Sequence, residues 1–171
     1  LIVLPDGFEF VEAWFATLRV GAVFAMVNPL LKEKDYAYYL EYSRAAAVFT
    51  HESVLPEIAG ALRSATACRA TFVVGEEDGG FTPYAEARRA ADPASAAAAV
   101  EPVGPDGIAG WLFTSGSTGR PKGVMIGHSS LVPFLLHESM EGAYRHTRFF
   151  EHHICLYVLS FTYDDSVGVV W

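Results

Sequence analysis

Residues 111–124 read Trp-Leu-Phe-Thr-Ser-Gly-Ser-Thr-Gly-Arg-Pro-Lys-Gly-Val, and this stretch decides how the chain is interpreted. Between positions 114 and 123 it offers four hydroxyls and three glycines beside one lysine. Glycines let backbone N–H groups approach a ligand closely, hydroxyls donate to phosphate oxygens, and lysine supplies a mobile positive charge. The stretch therefore predicts a loop that binds a polyphosphate.

The spacing differs from that of the NTPase P-loop, in which G-x-x-x-x-G-K-[ST] leads into a helix. Here Gly116 and Gly119 are three positions apart, and Lys122 follows an Arg-Pro pair. Proline is unfavourable inside a helix, and the next residues, 124–126, are apolar and typical of a strand. Since residues 109–114 also predict a strand, we expect the loop to join two strands.

Upstream of the loop, short apolar runs alternate with segments of helical periodicity. This alternation predicts an α/β fold with mainly parallel sheets flanked by helices. Residues from about 75 to 107 are rich in Gly, Ala, Pro and acids, which favours a surface connection with one short helix near 84–91. The predicted strands cover residues 2–4, 23–27, 46–50 and 71–74, and the predicted helices begin at residues 8, 32 and 51.

Composition excludes several classes of function. The 171 residues include 51% hydrophobic and 19% charged residues, with a formal net charge of −8. Such acidity disfavours nucleic acid and anionic membranes as partners, and no apolar run reaches the roughly 18 residues of a membrane helix. Cys68 and Cys155 form no CxxC pair and the histidines match no zinc spacing, so we expect free thiols, no protein metal site and a cytoplasmic location.

Residues 114–123, TSGSTGRPKG, resemble the signature of the AMP-binding, adenylate-forming superfamily of acyl-CoA synthetases, peptide-synthetase adenylation domains and luciferases. Residues 8–23, 27–31 and 35–40 are similar to the N-terminal subdomain of that family. The resemblance implies ATP-dependent activation of a small carboxylic acid to an acyl-adenylate, with Mg²⁺ carried on ATP. It also implies transfer of the acyl group to coenzyme A or to the phosphopantetheine of a carrier protein.

The resemblance also implies roles for matched residues. Lys122 and Thr118 would be catalytic, because Lys122 would neutralise charge near the leaving pyrophosphate. His128, just after the loop, is a weaker candidate that could equally pack at a strand end. The residues expected to hold the ATP phosphates are Thr114, Ser115, Gly116, Ser117, Thr118, Gly119 and Lys122.

The acid pocket is expected to include Phe161, Tyr163 and Asp164, and two interpretations of it remain open. Residues 28–31 and 35–40, with Trp111, resemble benzoate-type acid:CoA ligases, and aromatic side chains at 161 and 163 would suit an aromatic acid. Residues 163–166 instead resemble the Phe-Asp-x-Ser motif of amino-acid adenylation domains, in which Asp164 would bind the α-ammonium group. A third hypothesis is a non-catalytic nucleotide-binding chain.

The same resemblance predicts the domain organisation. Residues 1–171 would form part of an N-terminal AMP-binding domain, with an α/β subdomain at 1–75, a connection at 76–107, and the phosphate loop and start of the acid pocket at 108–171. The adenine, ribose and catalytic-lysine motifs of the family would lie beyond Trp171. We therefore expect the 171-residue chain by itself to be inactive in adenylation.

Overall fold

The computed structural model describes residues 1–98, 100–114 and 120–131. The chain divides into two compact units, Leu1–Glu101 and Pro102–Trp171. Each unit is described by itself below.

The first unit alternates strands and helices, as the sequence predicts. Its elements are β1 (Ile2–Val3), α1 (Phe8–Arg19), β2 (Phe24–Ala25), α2 (Glu33–Ser43), β3 (Ala47–His51), a 3-10 turn (Glu52–Val54), α3 (Leu55–Ser64), β4 (Ala70–Val74), β5 (Thr82–Pro83), α4 (Tyr84–Ala90) and α5 (Pro93–Ala98).

Four of these strands form a parallel sheet in the order β1-β3-β4-β5. On the other side of β1, Met26 makes a parallel bridge with Ile2, and the Val27 N–H donates to the Ile2 carbonyl over 3.0 Å. The chain thus leaves β1 through α1 to one side and returns through α2 to the other side. Because such crossovers are right-handed, α1 and α2 lie on opposite faces of the sheet. The predicted α/β class is confirmed.

The first helix buries a different stripe from the one that its most apolar residues suggest. Phe10, Ala13 and Trp14 are buried, whereas Phe8 is 87% exposed at the first helical position. Phe, Val and Leu occur around most of this helix, so periodicity predicts the helix but leaves its inner face ambiguous. Gly21, with φ of 67°, follows the helix in the left-handed conformation that glycine adopts without strain.

Two pairs of helices are joined by side-chain contacts. Lys32 Nζ and Glu57 Oε1, 2.7 Å apart, connect the start of α2 to α3. On the other face, Glu12 of α1 accepts from the Tyr84 hydroxyl (2.9 Å) and pairs with Arg88 of α4 (2.9 Å). The sheet therefore has α2 and α3 on one face and α1 and α4 on the other.

The segment 75–107, predicted as mainly a connection, contains more regular structure than expected. The helix predicted near 84–91 is present as α4, but β5 and α5 were not predicted. β5 has only two residues and includes Pro83, which a sheet edge tolerates because the missing N–H would face outward. A strand of two residues is too short to show the alternation of apolar and polar residues from which strands are predicted.

The second unit contains β6 (Ile108–Thr114) and β7 (Lys122–Gly127), followed by helical residues 128–131. Residues 115–119 and 132–171 lie outside the described residues, and with them the apolar run at 154–160, for which the sequence predicts a further strand. Within the described part of the chain, no helix is long and apolar enough to cross a membrane.

Candidate phosphate-binding hairpin

The candidate site is the turn of an antiparallel hairpin. β6 pairs with β7, and the register places Thr114 opposite Lys122, Leu112 opposite Val124, and Gly110 opposite Ile126. The expectation that the loop joins two strands is therefore confirmed. The loop begins directly after Thr114 and ends directly before Lys122, so its two ends are held side by side.

The register also fixes which side chains share a face. Directly opposed residues of an antiparallel pair project to the same side, with Cβ atoms about 4.5–5.5 Å apart. Thr114 and Lys122 therefore emerge together, and both are exposed. One end of the loop contributes a hydroxyl and the other an ammonium group, and these two can contact the same anion.

The opposite face of the hairpin has a different composition. There Phe113 lies across from Gly123, and Trp111 lies across from Met125. Glycine at position 123 leaves room beside the phenylalanine ring, so the aromatic side chain can cover the strand backbone. Gly123, the last residue of the signature, is thus also the strand partner of Phe113.

The base of the hairpin is fixed by two backbone hydrogen bonds. The N–H of His128 donates to the Gly107 carbonyl and the N–H of Ser129 donates to the Pro105 carbonyl, each over 2.9 Å. His128 is half-buried at this end. Six residues separate it from Lys122, which at about 3.3 Å per residue is roughly 20 Å of strand. The structure thus places His128 at the opposite end of the hairpin from the loop, as the strand-end alternative required.

Of the predicted phosphate-binding residues, the described structure places only Thr114 and Lys122. Arg120, for which the sequence predicts no role, is exposed next to Pro121 and adds a second positive charge at the loop. Its position two residues before Lys122 was the available signal. The predicted loop residues Ser115, Gly116, Ser117, Thr118 and Gly119 and the predicted acid-pocket residues Phe161, Tyr163 and Asp164 lie outside the described residues.

A metal ion is another group that a site of this kind could hold. Among them, no three His, Cys, Asp or Glu side chains lie close enough together to hold a metal ion. Cys68 is a free thiol, and its Sγ lies 3.4 Å from the Ala70 carbonyl oxygen. The chemistry that the described part of the site can offer is therefore that of backbone N–H groups, a hydroxyl and cationic side chains.

These features define an α/β protein with a candidate phosphate-binding hairpin of the adenylate-forming type. The family model described as "AMP-binding enzyme" matches residues 1–171, and the chain belongs to this family.

Curated relatives have the names of acid:CoA ligases. The 4-hydroxybenzoate--CoA/benzoate--CoA ligase of Rhodopseudomonas palustris is 34% identical over 129 residues, covering 75% of this chain and 23% of the relative. Benzoate--CoA ligase of Thauera aromatica is 33% identical over 132 residues, covering 77% and 24%. The chain thus spans about a quarter of the length of these relatives.

Solved structures agree with this assignment. The anthranilate CoA ligase AuaEII in complex with anthranoyl-AMP superposes with a TM-score of 0.72 at 25% identity, covering 82% of this chain and 26% of that chain. A benzoate CoA ligase from Burkholderia xenovorans LB400 gives a TM-score of 0.66 at 29% identity, covering 79% and 25%. ATP-bound MatB from Rhodopseudomonas palustris gives 0.77 at 23% identity over 99% of this chain and 31% of that chain, which supports the fold alone.

Proposed function

We propose that the protein to which this chain belongs activates a carboxylic acid with ATP and transfers the acyl group to the thiol of coenzyme A. The carboxylate oxygen bonds to the α-phosphorus of ATP and pyrophosphate leaves. The thiolate sulfur then bonds to the acyl carbon of the acyl-adenylate and AMP leaves. The observation that carries the proposal is the TSGSTGRPKG loop held between β6 and β7 in a chain of the AMP-binding enzyme family.

The hairpin contributes binding and charge stabilisation. Thr114 donates a hydroxyl and Lys122 an ammonium group from directly opposed positions at the ends of the loop. We propose that both contact the β- and γ-phosphates, together with the hydroxyls and N–H groups of residues 115–119. As pyrophosphate leaves, negative charge grows on its oxygens, and a fixed cation nearby lowers the barrier. Mg²⁺ would be held largely by the phosphates themselves.

We further propose that the acid is aromatic. The support is that several similar curated proteins are named as benzoate or hydroxybenzoate CoA ligases, and that a similar structure is a benzoate CoA ligase. In this proposal Phe161 and Tyr163 stack on the ring of the acid. A long-chain-fatty-acid--CoA ligase of Thermus thermophilus is similar at 33% identity over 130 residues, so aliphatic acids belong in the same test.

The first experiment is ATP–pyrophosphate exchange by the full-length protein with benzoate, hydroxybenzoates, fatty acids and amino acids in parallel. Exchange that depends on benzoate or a hydroxybenzoate, followed by formation of the CoA thioester, is the expected result. Exchange that depends only on an amino acid would refute the CoA-ligase proposal and favour Asp164 as the ammonium ligand. Absence of exchange with every acid, while ATP still binds, would leave a nucleotide-binding protein without this activity.

The loop is tested with Lys122→Ala and Thr118→Ala in the full-length protein. Loss of one donor to a developing oxyanion typically lowers kcat about 10²- to 10³-fold. Lys122 is exposed, so we expect Lys122→Ala to keep its melting temperature within about 2 °C of the wild type. Lys34→Ala is the matched control, because Lys34 is an exposed lysine on α2. Normal activity of Lys122→Ala, or equal loss in the control, would contradict the assigned role.

A further inference from the structure

The strand order of the first unit predicts where a ligand site independent of the hairpin would lie. The connection that follows β1 runs to one side of the sheet through α1, and the connection that follows β3 runs to the other side through α3, so they diverge at the carboxyl ends of β1 and β3. In open α/β sheets, small molecules bind outside the carboxyl ends of the strands at such a divergence. This edge of the sheet is therefore the place to look for a further site.

A groove of about 520 Å³ lies at the carboxyl edge beside the end of β4, one strand away from this divergence, on the face that carries α1 and α4. This volume lies in the range of small-molecule sites, about 300–1,000 Å³. By contrast, a groove of about 570 Å³ between α2 and α3 includes Arg44 and Ala67, which precede β3 and β4, so it lies at the amino edge of the sheet. The groove at the carboxyl edge is lined by Glu9, Val74, Gly75, Tyr84, Ala85, Arg88 and Arg89.

One charged side chain of the groove, Arg88, is neutralised by an ion pair, whereas two others, Glu9 and Arg89, have no such pair in the described part of the chain. Arg88 forms an ion pair with Glu12 over 2.9 Å. Glu9, in the first turn of α1, and Arg89, in the last turn of α4, form no ion pair within the described residues. Arg89 donates its Nε–H to the Ala85 carbonyl over 3.1 Å, which orients the guanidinium on the groove side of α4 while its other N–H donors remain available.

Tyr84 gives the groove a fixed wall. Its hydroxyl donates to Glu12 over 2.9 Å, and its ring meets Phe49 edge to face at a centroid distance of 6.3 Å. Burial and the Glu12 carboxylate raise the pKa of Tyr84 to about 12, so the phenol stays neutral and keeps this hydrogen bond at physiological pH. Val74 and Ala85 add apolar surface between the charged groups.

We infer that this groove binds a small zwitterion, of which a free α-amino acid is the simplest example. The carboxylate of the ligand would pair with Arg89, its ammonium group with Glu9, and its side chain would contact Tyr84 and Val74. A simple anion would be repelled by Glu9 and a simple cation by Arg89. Each single-charge ligand would therefore satisfy only one of the two groups, whereas a zwitterion satisfies both.

The test is isothermal titration calorimetry of the full-length protein with glycine, L-alanine and L-phenylalanine. 3-Phenylpropionate and 2-phenylethylamine serve as single-charge analogues of phenylalanine. We expect at least one amino acid to bind and both analogues to bind at least tenfold more weakly. Arg89→Ala and Glu9→Gln should each weaken amino-acid binding about tenfold or more, because each removes a charge-assisted hydrogen bond. Failure of all three amino acids to bind would overturn the inference.

Controls separate this groove from the hairpin and from general charge effects. Arg69→Ala and Glu86→Gln remove exposed charges outside the groove lining and should leave amino-acid affinity unchanged. Lys122→Ala should also leave it unchanged if the groove is the site. Binding that is lost in Lys122→Ala but kept in Arg89→Ala and Glu9→Gln would overturn the inference and locate the amino acid at the hairpin. Equal binding of the single-charge analogues would overturn it as well.

Discussion

The hydroxyl of Tyr36 connects α2 to the loop that precedes it. The loss of stability caused by removing this hydroxyl can be worked out from its two hydrogen bonds. The side chain is fully buried, accepts from the Leu31 N–H and donates to the Asn28 carbonyl, each over 3.2 Å. Burial raises the pKa of this phenol, so the hydroxyl remains a neutral donor. Tyr36→Phe keeps the ring and deletes both bonds.

Both distances are at the long end of the hydrogen-bond range, so each bond should be weaker than average. Asn28 is exposed, and water can replace the lost donor at its carbonyl, whereas the half-buried Leu31 N–H is harder to rehydrate. We therefore expect a loss of about 1–2 kcal/mol in the local stability of residues 28–36, at the low end for two partners left unsatisfied.

Hydrogen exchange in the full-length protein, read by mass spectrometry of peptides that cover residues 28–43, measures this change. A loss of that size should increase exchange about 5- to 30-fold. Tyr42→Phe is the matched control, because Tyr42 lies on the same helix and is 42% exposed. Unchanged exchange in Tyr36→Phe, or the same increase in Tyr42→Phe, would refute the reasoning.

Two further predictions concern the turn after β4. Glu52 accepts the N–H groups of Glu76 (2.7 Å) and Glu77 (3.0 Å), and these bonds hold the pKa of its carboxyl below the usual value. A group with a lowered pKa contributes stability above its unfolded pKa and loses this contribution as the pH falls through its folded pKa. The protection factor of the Glu76 and Glu77 N–H groups, which is the intrinsic exchange rate divided by the observed rate, should therefore fall below about pH 4 in the wild type. Glu52→Gln should remove this pH dependence, and a persisting dependence would contradict the prediction. Gly75 has φ of 126°, and an added Cβ would meet the Glu52 carboxylate; Gly75→Ala should cost about 1–3 kcal/mol and lower the melting temperature, whereas Gly104→Ala, which meets no atom, should not, and equal melting temperatures for the two variants would reject the strain argument.

Local patterns in the sequence were sufficient to predict the alternation of strands and helices. Runs such as 46–50 and 71–74 are apolar because both faces of an inner parallel strand are covered, and such runs are recognisable without knowledge of their neighbours. β2 was predicted over residues 23–27 and has strand geometry only at Phe24–Ala25, although residues 24–27 are all buried. Burial was thus predictable from composition, while strand geometry depends on which backbone lies beside it.

The buried face of α1 and the short strand β5 are features that local sequence patterns do not predict. In α1 the buried residues include Ala13, because its small side chain lets the helix approach the sheet. Hydrophobic periodicity favours Phe8 over Ala13 as a buried residue, yet Phe8 is exposed. β5 has two residues and pairs through Phe72–Thr82 and Val73–Pro83, so it exists only because β4 is beside it. Neither feature has a signal within its own segment.

The phosphate loop and the groove at the carboxyl edge differ in how far apart their residues lie in the sequence. The residues of the predicted phosphate loop are contiguous in the sequence, so the chemistry that they suggest is visible in ten consecutive residues. The groove at the carboxyl edge combines Glu9 with Arg89, which are 80 positions apart. The α1–α4 contact through Glu12, Tyr84 and Arg88 brings those charges to one cavity. A sequence therefore predicts sites made by one turn far better than sites made by two helices that meet across a sheet edge, and the zwitterion inference depends on the fold for that reason.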